Sequence, residues 1–335
     1  MKEKPASWYK RAVKFLIRFS ISGALMGYLL SKTDIQEIFK QLRGVNWLLI
    51  LITVPFIYFV TIWLRSLRLS IILRNMGFHT PLLWLSILQL KGLFLGSVLP
   101  GGISGDIYRT FKIAKETEVL NRSISAILVE KGFGFAMMVF SCFAGLLLGL
   151  YWVDHPVFWQ IARPISWVFL FIFSTIIACL IILQANLLEK IPVPAKPMAK
   201  MMENIRYIKG IFNETGEIAK IAFLSLLLQV TIVVWYFVMG KAIALDLSFL
   251  TFMVTVPLIE FLLMLPISIG GIGVREGAFI LLLSPFGISG TDAISFSLLS
   301  FMVAMTMRIF SGTAFFIETR KKDIIVRTEI IKNDV

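Results

Sequence analysis

Apolar runs, broken twice by glycine and proline and separated by short polar stretches, set the pattern of this chain. They cover roughly 12–30, 46–64, 82–99, 123–152, 160–184, 218–245, 249–269, 274–288 and 291–317. About 20 mainly apolar residues in a helix cross a bilayer's hydrocarbon core, and recurrence of such runs to the chain's end predicts an all-α polytopic membrane protein. The polar stretch 33–43 has a different period. Thr33 can cap a short helix that puts Ile35, Ile38, Phe39 and Leu42 on one face, the spacing of a helix lying in the membrane interface. No connection reaches the ~50 residues that a small independent domain needs. The longest, 186–217, is rich in lysine and proline and reads as a basic loop, so 1–335 is expected to be a single integral membrane domain.

Composition agrees: 58% of the 335 residues are hydrophobic and mean hydropathy is +0.85. The net charge of +13 would point to nucleic acid in a soluble protein. Here the basic residues cluster between apolar spans, as topology signals do, and no nucleic-acid partner is expected. Lys2, Lys4, Lys10, Arg11 and Lys14 precede or open the first run, which lacks a small-residue cleavage site and reads as a signal anchor with a cytoplasmic N-terminus. If 82–99 crossed once, Arg109, Lys112, Lys115, Arg122 and the basic 186–217 loop would all be external, against the positive-inside rule. If 82–116 enters and returns, the cytoplasmic ends gather Arg65, Arg68, Arg74, Lys190, Lys196, Lys200, Arg206, Lys209, Arg320, Lys321, Lys322 and Arg327. The outer side then keeps Lys32, Lys40, Arg43, Arg163 and Lys241. The same parity makes 249–288 an entering-and-returning pair open to the outside and 318–335 a cytoplasmic tail. The expected location is the plasma membrane, multi-pass, with both termini cytoplasmic. Parity does not distinguish re-entrant hairpins from complete pairs of spans.

The two breaks carry the chemistry. LPGGISGDIYR at 99–109 and LPISIGGIGVREG at 265–277 bring Asp106, Arg109, Arg275 and Glu276 toward membrane depth, where broken backbone and charge survive only inside protein or along a polar cavity. Three full spans lie between them, so the hairpins are expected in inverted orientation, and paired broken helices are how many transporters build a substrate site. In the first break Gly101, Gly102 and Gly105 free the backbone, Ser104 can cap the next helix, and Asp106 and Arg109 sit three apart on one face. In the second, Gly270, Gly271 and Gly273 precede a helix whose free amides and positive end would lie near Arg275. Together these groups could hold a phosphate. The plainer alternative is that the glycines allow close packing and the ion pairs neutralise themselves.

Other ionisable residues fall inside apolar runs. Lys91 is open to a functional or a snorkelling role. Glu130 and Lys131, about 100° apart on a helix, are expected to have different partners, one of them in the first hairpin. Glu260 and Arg308 are expected to face the interior near one another, whereas Arg18 snorkels. Cys142 and Cys179 read as small hydrophobes, and His79 and His155 are far apart. No spacing suggests a transition metal, no GxxxxGK[ST] phosphate loop is present, and no cofactor is expected.

These segments resemble a known family. LPGGISGDIYR at 99–109, RSISAILVEKGFG at 122–134, PISIGGIGVREG at 266–277 and the later Arg308 are similar to the lysylphosphatidylglycerol synthase transmembrane-region, or flippase-like, family. It is the lipid-translocating half of multiple peptide resistance factors and also occurs as stand-alone membrane proteins. The family usually has arginine at Lys131, a difference that keeps charge but loses the bidentate fork. The resemblance implies about eight apolar helical segments around a lipid-accessible cavity. Longer relatives carry a soluble aminoacyl-transferase domain after this region, and the short tail beyond the last span is expected to leave this chain without that synthesis.

The leading expectation is a flippase or headgroup transporter for a polar-headed phospholipid or glycolipid, anionic, aminoacylated or glycosylated, with a separate lipid-synthesising enzyme as a possible partner. Arg109, Arg275, Arg308 and Lys131 would bind the headgroup, and Asp106, Glu130, Glu260 and Glu276 would orient them or meet a cationic group, beside Gly101, Gly102, Gly270 and Gly271. The alternatives are a membrane-embedded lipid-modifying transferase, with Asp106 or Glu130 as general base, and an accessory subunit of an envelope lipid enzyme. No nucleophile or metal set supports the transferase.

Overall fold

The structure, a computed structural model, describes residues 22–29, 33–98, 104–152, 215–264, 271–317 and 325–326, with isolated positions at 20, 31 and 268 and within 159–175. The described chain is helical almost throughout. The helices are α1 (Ile35–Arg43), α2 (Trp47–Asn75), α3 (Leu82–Val98), α4 (Ser104–Thr117), α5 (Leu120–Trp152), α6 (Thr215–Ala242), α7 (Phe249–Met264), α8 (Val274–Leu283) and α9 (Gly290–Phe310). Tight 3-10 turns, Ser284–Phe286 and Ser311–Phe316, follow α8 and α9. The described strands are a two-residue antiparallel pair, Phe78–His79 with Ile325–Val326.

Four helical stretches are long and apolar enough to cross a membrane: Trp47–Asn75, Leu120–Gly149, Gly216–Ala242 and Gly290–Phe316. This is an all-α polytopic membrane fold. α2 continues well beyond residue 64, because buried Leu69, Ile72 and Leu73 carry its apolar stripe past Arg65 and Arg68. The helices flanking the breaks are shorter, at 17, 14, 16 and 10 residues for α3, α4, α7 and α8. At about 1.5 Å per residue none of them alone matches a ~30 Å hydrocarbon core. α3 packs on α4, and α7 packs on α8.

The chain forms two compact units. The first gathers 1–52, 144–164 and 233–303. Its core is aromatic: Phe252, Phe279 and Phe296 are fully buried, and the Phe279 and Phe296 rings meet edge to face at 5.0 Å. Gly145 lets a helix approach Met253, whose carbonyl oxygen would lie 2.7 Å from a Cβ there. The cap of α1 is Asp34 rather than Thr33. Its carboxylate accepts the Gln36 and Glu37 amides at 2.9 and 3.4 Å, while the Thr33 hydroxyl turns back to the Leu29 carbonyl at 3.1 Å. A carboxylate at the cap also complements the positive helix end.

The second unit gathers 53–143, 165–232 and 304–335. Leu69, Ile72, Leu73, Trp84, Leu85, Leu88, Ile113, Ile127 and Ile221 build its core. The closest approach is between α3 and α4. A Cβ on Gly105 would lie 2.1 Å from the Gly92 carbonyl oxygen, so the two backbones touch at paired glycines.

Candidate functional site

In the second unit the backbone contact of α3 and α4 sets the position of Arg109. Its stem crosses Gly92, where a Cβ would come within 2.7 Å of Arg109 Cδ. Any larger residue would compete with the arginine for that space. The guanidinium then reaches two carboxylates: Nη1 lies 3.1 Å from Asp106 Oδ1, and Nη2 pairs with Glu130 Oε2 on α5. The other oxygen of Glu130 takes Arg68 Nη2 of α2 at 3.2 Å, and Arg68 Nη1 donates to the Ser225 hydroxyl of α6 at 3.0 Å. Lys131 Nζ reaches Asp106 Oδ2 at 2.8 Å. The result is a continuous chain, Arg68, Glu130, Arg109, Asp106, Lys131.

Burial is graded along this chain. Glu130, Arg109 and Arg68 are 3%, 5% and 7% exposed, whereas the Lys131 side chain is 59% exposed. One end is therefore locked among helices and the other is open. The Nε atoms of Arg68 and Arg109 are buried with no hydrogen-bond partner, so the guanidinium donors exceed the acceptors around them. Arg65, one turn before Arg68, lies within electrostatic reach of Arg68, Glu130 and Arg109. The Tyr58 hydroxyl of α2 hydrogen-bonds the Ser311 hydroxyl at 2.7 Å.

In the first unit the second break is arranged differently. Gly271 and Gly273 adopt φ of +81° and +82°, a left-handed conformation that favours glycine, and a Cβ on Gly273 would lie 2.6 Å from Leu25 Cβ. The Glu276 carboxylate accepts the Gly273 amide at 2.7 Å and the Ser297 hydroxyl at 2.8 Å. The α8 terminus is thus capped by its own carboxylate. Arg275 lays its guanidinium over the Phe301 ring, 4.5 Å from the centroid. Glu260 accepts the Tyr236 hydroxyl at 2.8 Å. Glu276 and Arg109 share one register: each bonds a partner 21 residues on, Ser297 and Glu130 respectively, in the helix after its own.

The structure thus unites Asp106, Arg109, Glu130 and Lys131, with both Glu130 and Lys131 meeting the first hairpin rather than one of them. Several expectations are corrected. Ser104 does not cap α4; its hydroxyl donates to the Leu95 carbonyl at 3.0 Å and ties the hairpin together. Arg308 is exposed rather than inward-facing, and Glu260 is held by Tyr236. The free amides expected at the α8 terminus include one already taken by Glu276. Arg68, counted from the sequence as a topology marker, is a buried ion-pair partner of Glu130. Its signal in the sequence was RSLR inside an apolar run that resumes at Leu69 and continues to Leu73. Lys91 is held at the Ile317 carbonyl, 3.2 Å away, and over the Phe315 ring. Gly101, Gly102, Gly270 and Arg18 lie outside the described residues.

These features define a multi-pass helical membrane protein with a buried chain of charges at a broken helix pair. The family model of the lysylphosphatidylglycerol synthase TM region matches residues 15–312. The chain belongs to that family. Neither the comparison with curated proteins nor that with solved structures yields a match.

Proposed function

We propose that this protein is a flippase or headgroup transporter of the plasma membrane, moving a polar-headed phospholipid or glycolipid between leaflets, with both termini cytoplasmic. The supporting observation is the charge chain from Arg68 to Lys131. It runs from a locked interior to an exposed end, and its buried guanidiniums keep unused donors. Burying arginine in an apolar bundle costs several kcal/mol per ion even when it is paired, so a helix bundle that needs only stability does better with apolar residues. Arginine beside phosphate is a strong charge-assisted pair, and its fork is suited to a headgroup. In this reading Arg109 and Lys131 contact the headgroup, Asp106 and Glu130 hold them in place, and the acyl chains stay in the bilayer. A separate enzyme would supply the lipid.

Purified protein in liposomes, offered acyl-labelled anionic, aminoacylated or glycosylated lipids, tests this through the rate at which label changes leaflet. Transfer of at least one class above the protein-free rate is expected. Transfer of none would overturn the reading and return weight to a transferase or an accessory subunit.

A further inference from the structure

Lys131 stands apart from the other members of the charge chain. Arg68, Glu130, Arg109 and Asp106 balance, two of each sign, so among the groups joined by ion pairs Lys131 is the surplus cation. It is also the exposed member, carried on a flexible stem. Its ion-pair partner among the described residues is Asp106, and Asp106 would keep Arg109 at 3.1 Å if Lys131 left. The lysine can therefore exchange partners without stranding a buried charge.

The depth of the pair follows from its helices. α4 and α5 meet at residues 118–119, and Lys115, Glu116, Glu118 and Arg122 crowd that turn, which sets it at the aqueous surface. Asp106 lies eleven residues before the end of α4 at Thr117, and Lys131 eleven residues after the start of α5 at Leu120. That is about 16 Å of helix on either side, roughly half of a ~30 Å hydrocarbon core and more than a lysine spans by snorkelling. The surroundings are apolar and uncovered. Leu128 and Gly132 share the exposed stripe of α5 with Lys131, and Ile107 and Phe111 form an exposed stripe on α4. A Cβ on Gly132 would meet nothing within 4 Å, so there is open space beside the lysine. An exposed ion pair near the midplane is costly unless a polar group comes to it. A lipid supplies both parts, a headgroup for Lys131 and acyl chains for the apolar stripes.

We infer that the Asp106–Lys131 pair is a headgroup station open sideways to the bilayer, where Lys131 exchanges Asp106 for the phosphodiester of an anionic lipid. The single charge of a phosphodiester matches the single surplus cation, and a charge-assisted bond to phosphate replaces the one given up. Arg109, by holding Asp106, lets the lysine go. The inference rests on the transport reading and specifies its substrate class and the route of entry.

The test compares phosphatidylglycerol with phosphatidylcholine, both NBD-labelled on an acyl chain, in proteoliposomes. Wild type is expected to move phosphatidylglycerol severalfold faster. In Lys131→Gln the ratio of the two rates should fall toward unity and in Lys131→Arg it should persist, a comparison internal to each variant and so independent of how much protein folds. Gly132→Leu fills the open space with a better helix former, so it should slow transfer severalfold without lowering the thermal midpoint. Lys131→Cys, with Cys142 and Cys179 changed to serine, should react with a phosphatidylethanolamine that carries maleimide on its headgroup. An unchanged ratio in Lys131→Gln would overturn the role of Lys131 and leave transport standing. Unaltered transfer by Gly132→Leu, or reaction of Lys131→Cys with a water-soluble maleimide but not with the lipid, would overturn the sideways route. Transfer of neither lipid by wild type would overturn the phosphodiester assignment, and the transport reading with it if aminoacylated and glycosylated lipids also stay in place.

Discussion

Glu130 is the residue on which the buried charges converge. It is the shared carboxylate of Arg68 and Arg109, and its loss would leave both guanidiniums in the interior with one acceptor fewer each. Removing one partner of a buried pair costs about 3–5 kcal/mol, so Glu130→Ala should unfold at distinctly lower temperature in detergent, and Glu130→Gln should lose less because the amide oxygen still accepts. Equal midpoints for Glu130→Ala and wild type would contradict the pairing. At α1, Asp34→Ala should lower stability by about 1 kcal/mol and Thr33→Ala by less, reversing the order that the sequence alone implied. Asp106 and Arg109, three apart, announced their pairing in the sequence, since helical spacing alone brings them together. Glu130 with Arg109, or Arg68 with Glu130, did not, because such pairs depend on how separate helices pack.

At the scale of elements, the hairpin of α3 and α4 is built on contact between glycines. Gly105→Ala sets a methyl group 2.1 Å from a backbone oxygen that cannot swing away, so the helices must separate, and both stability and transfer should fall. Gly92→Ala meets chiefly the Arg109 stem at 2.7 Å, so it should displace the arginine and reduce transfer with a smaller stability loss. Thermal midpoints and transfer rates of the two variants, measured side by side, check this; equal midpoints would contradict it. The long spans were legible because uninterrupted apolar residues leave a chain few alternatives in a bilayer. The breaks were legible as breaks, through glycine and proline. Their internal economy was not: Glu276 takes an amide of its own helix terminus, and Ser104 bonds backward to Leu95, although both residue types also suit the roles first expected of them.

For the whole molecule, family membership and four membrane-length helices establish a multi-pass protein, and the first break supplies a polar chain that packing alone does not require. Topology rules counted Arg65 and Arg68 as markers of the cytoplasmic side. Those rules weigh only how basic residues distribute along the chain, and they do not register that Arg68 turns inward to a carboxylate 62 residues away. The most direct measurement is leaflet transfer by Arg109→Met in proteoliposomes, with the thermal midpoint of the same preparation. With Arg109 gone, Glu130 still has Arg68 and Asp106 still has Lys131, so the remaining charges stay paired and the fold should persist. Transfer near the protein-free rate, from protein that still folds with a midpoint lowered no more than that of Glu130→Ala, is the predicted result. Wild-type transfer by Arg109→Met would show that the buried chain serves the fold alone and would contradict the assignment of the headgroup to this site.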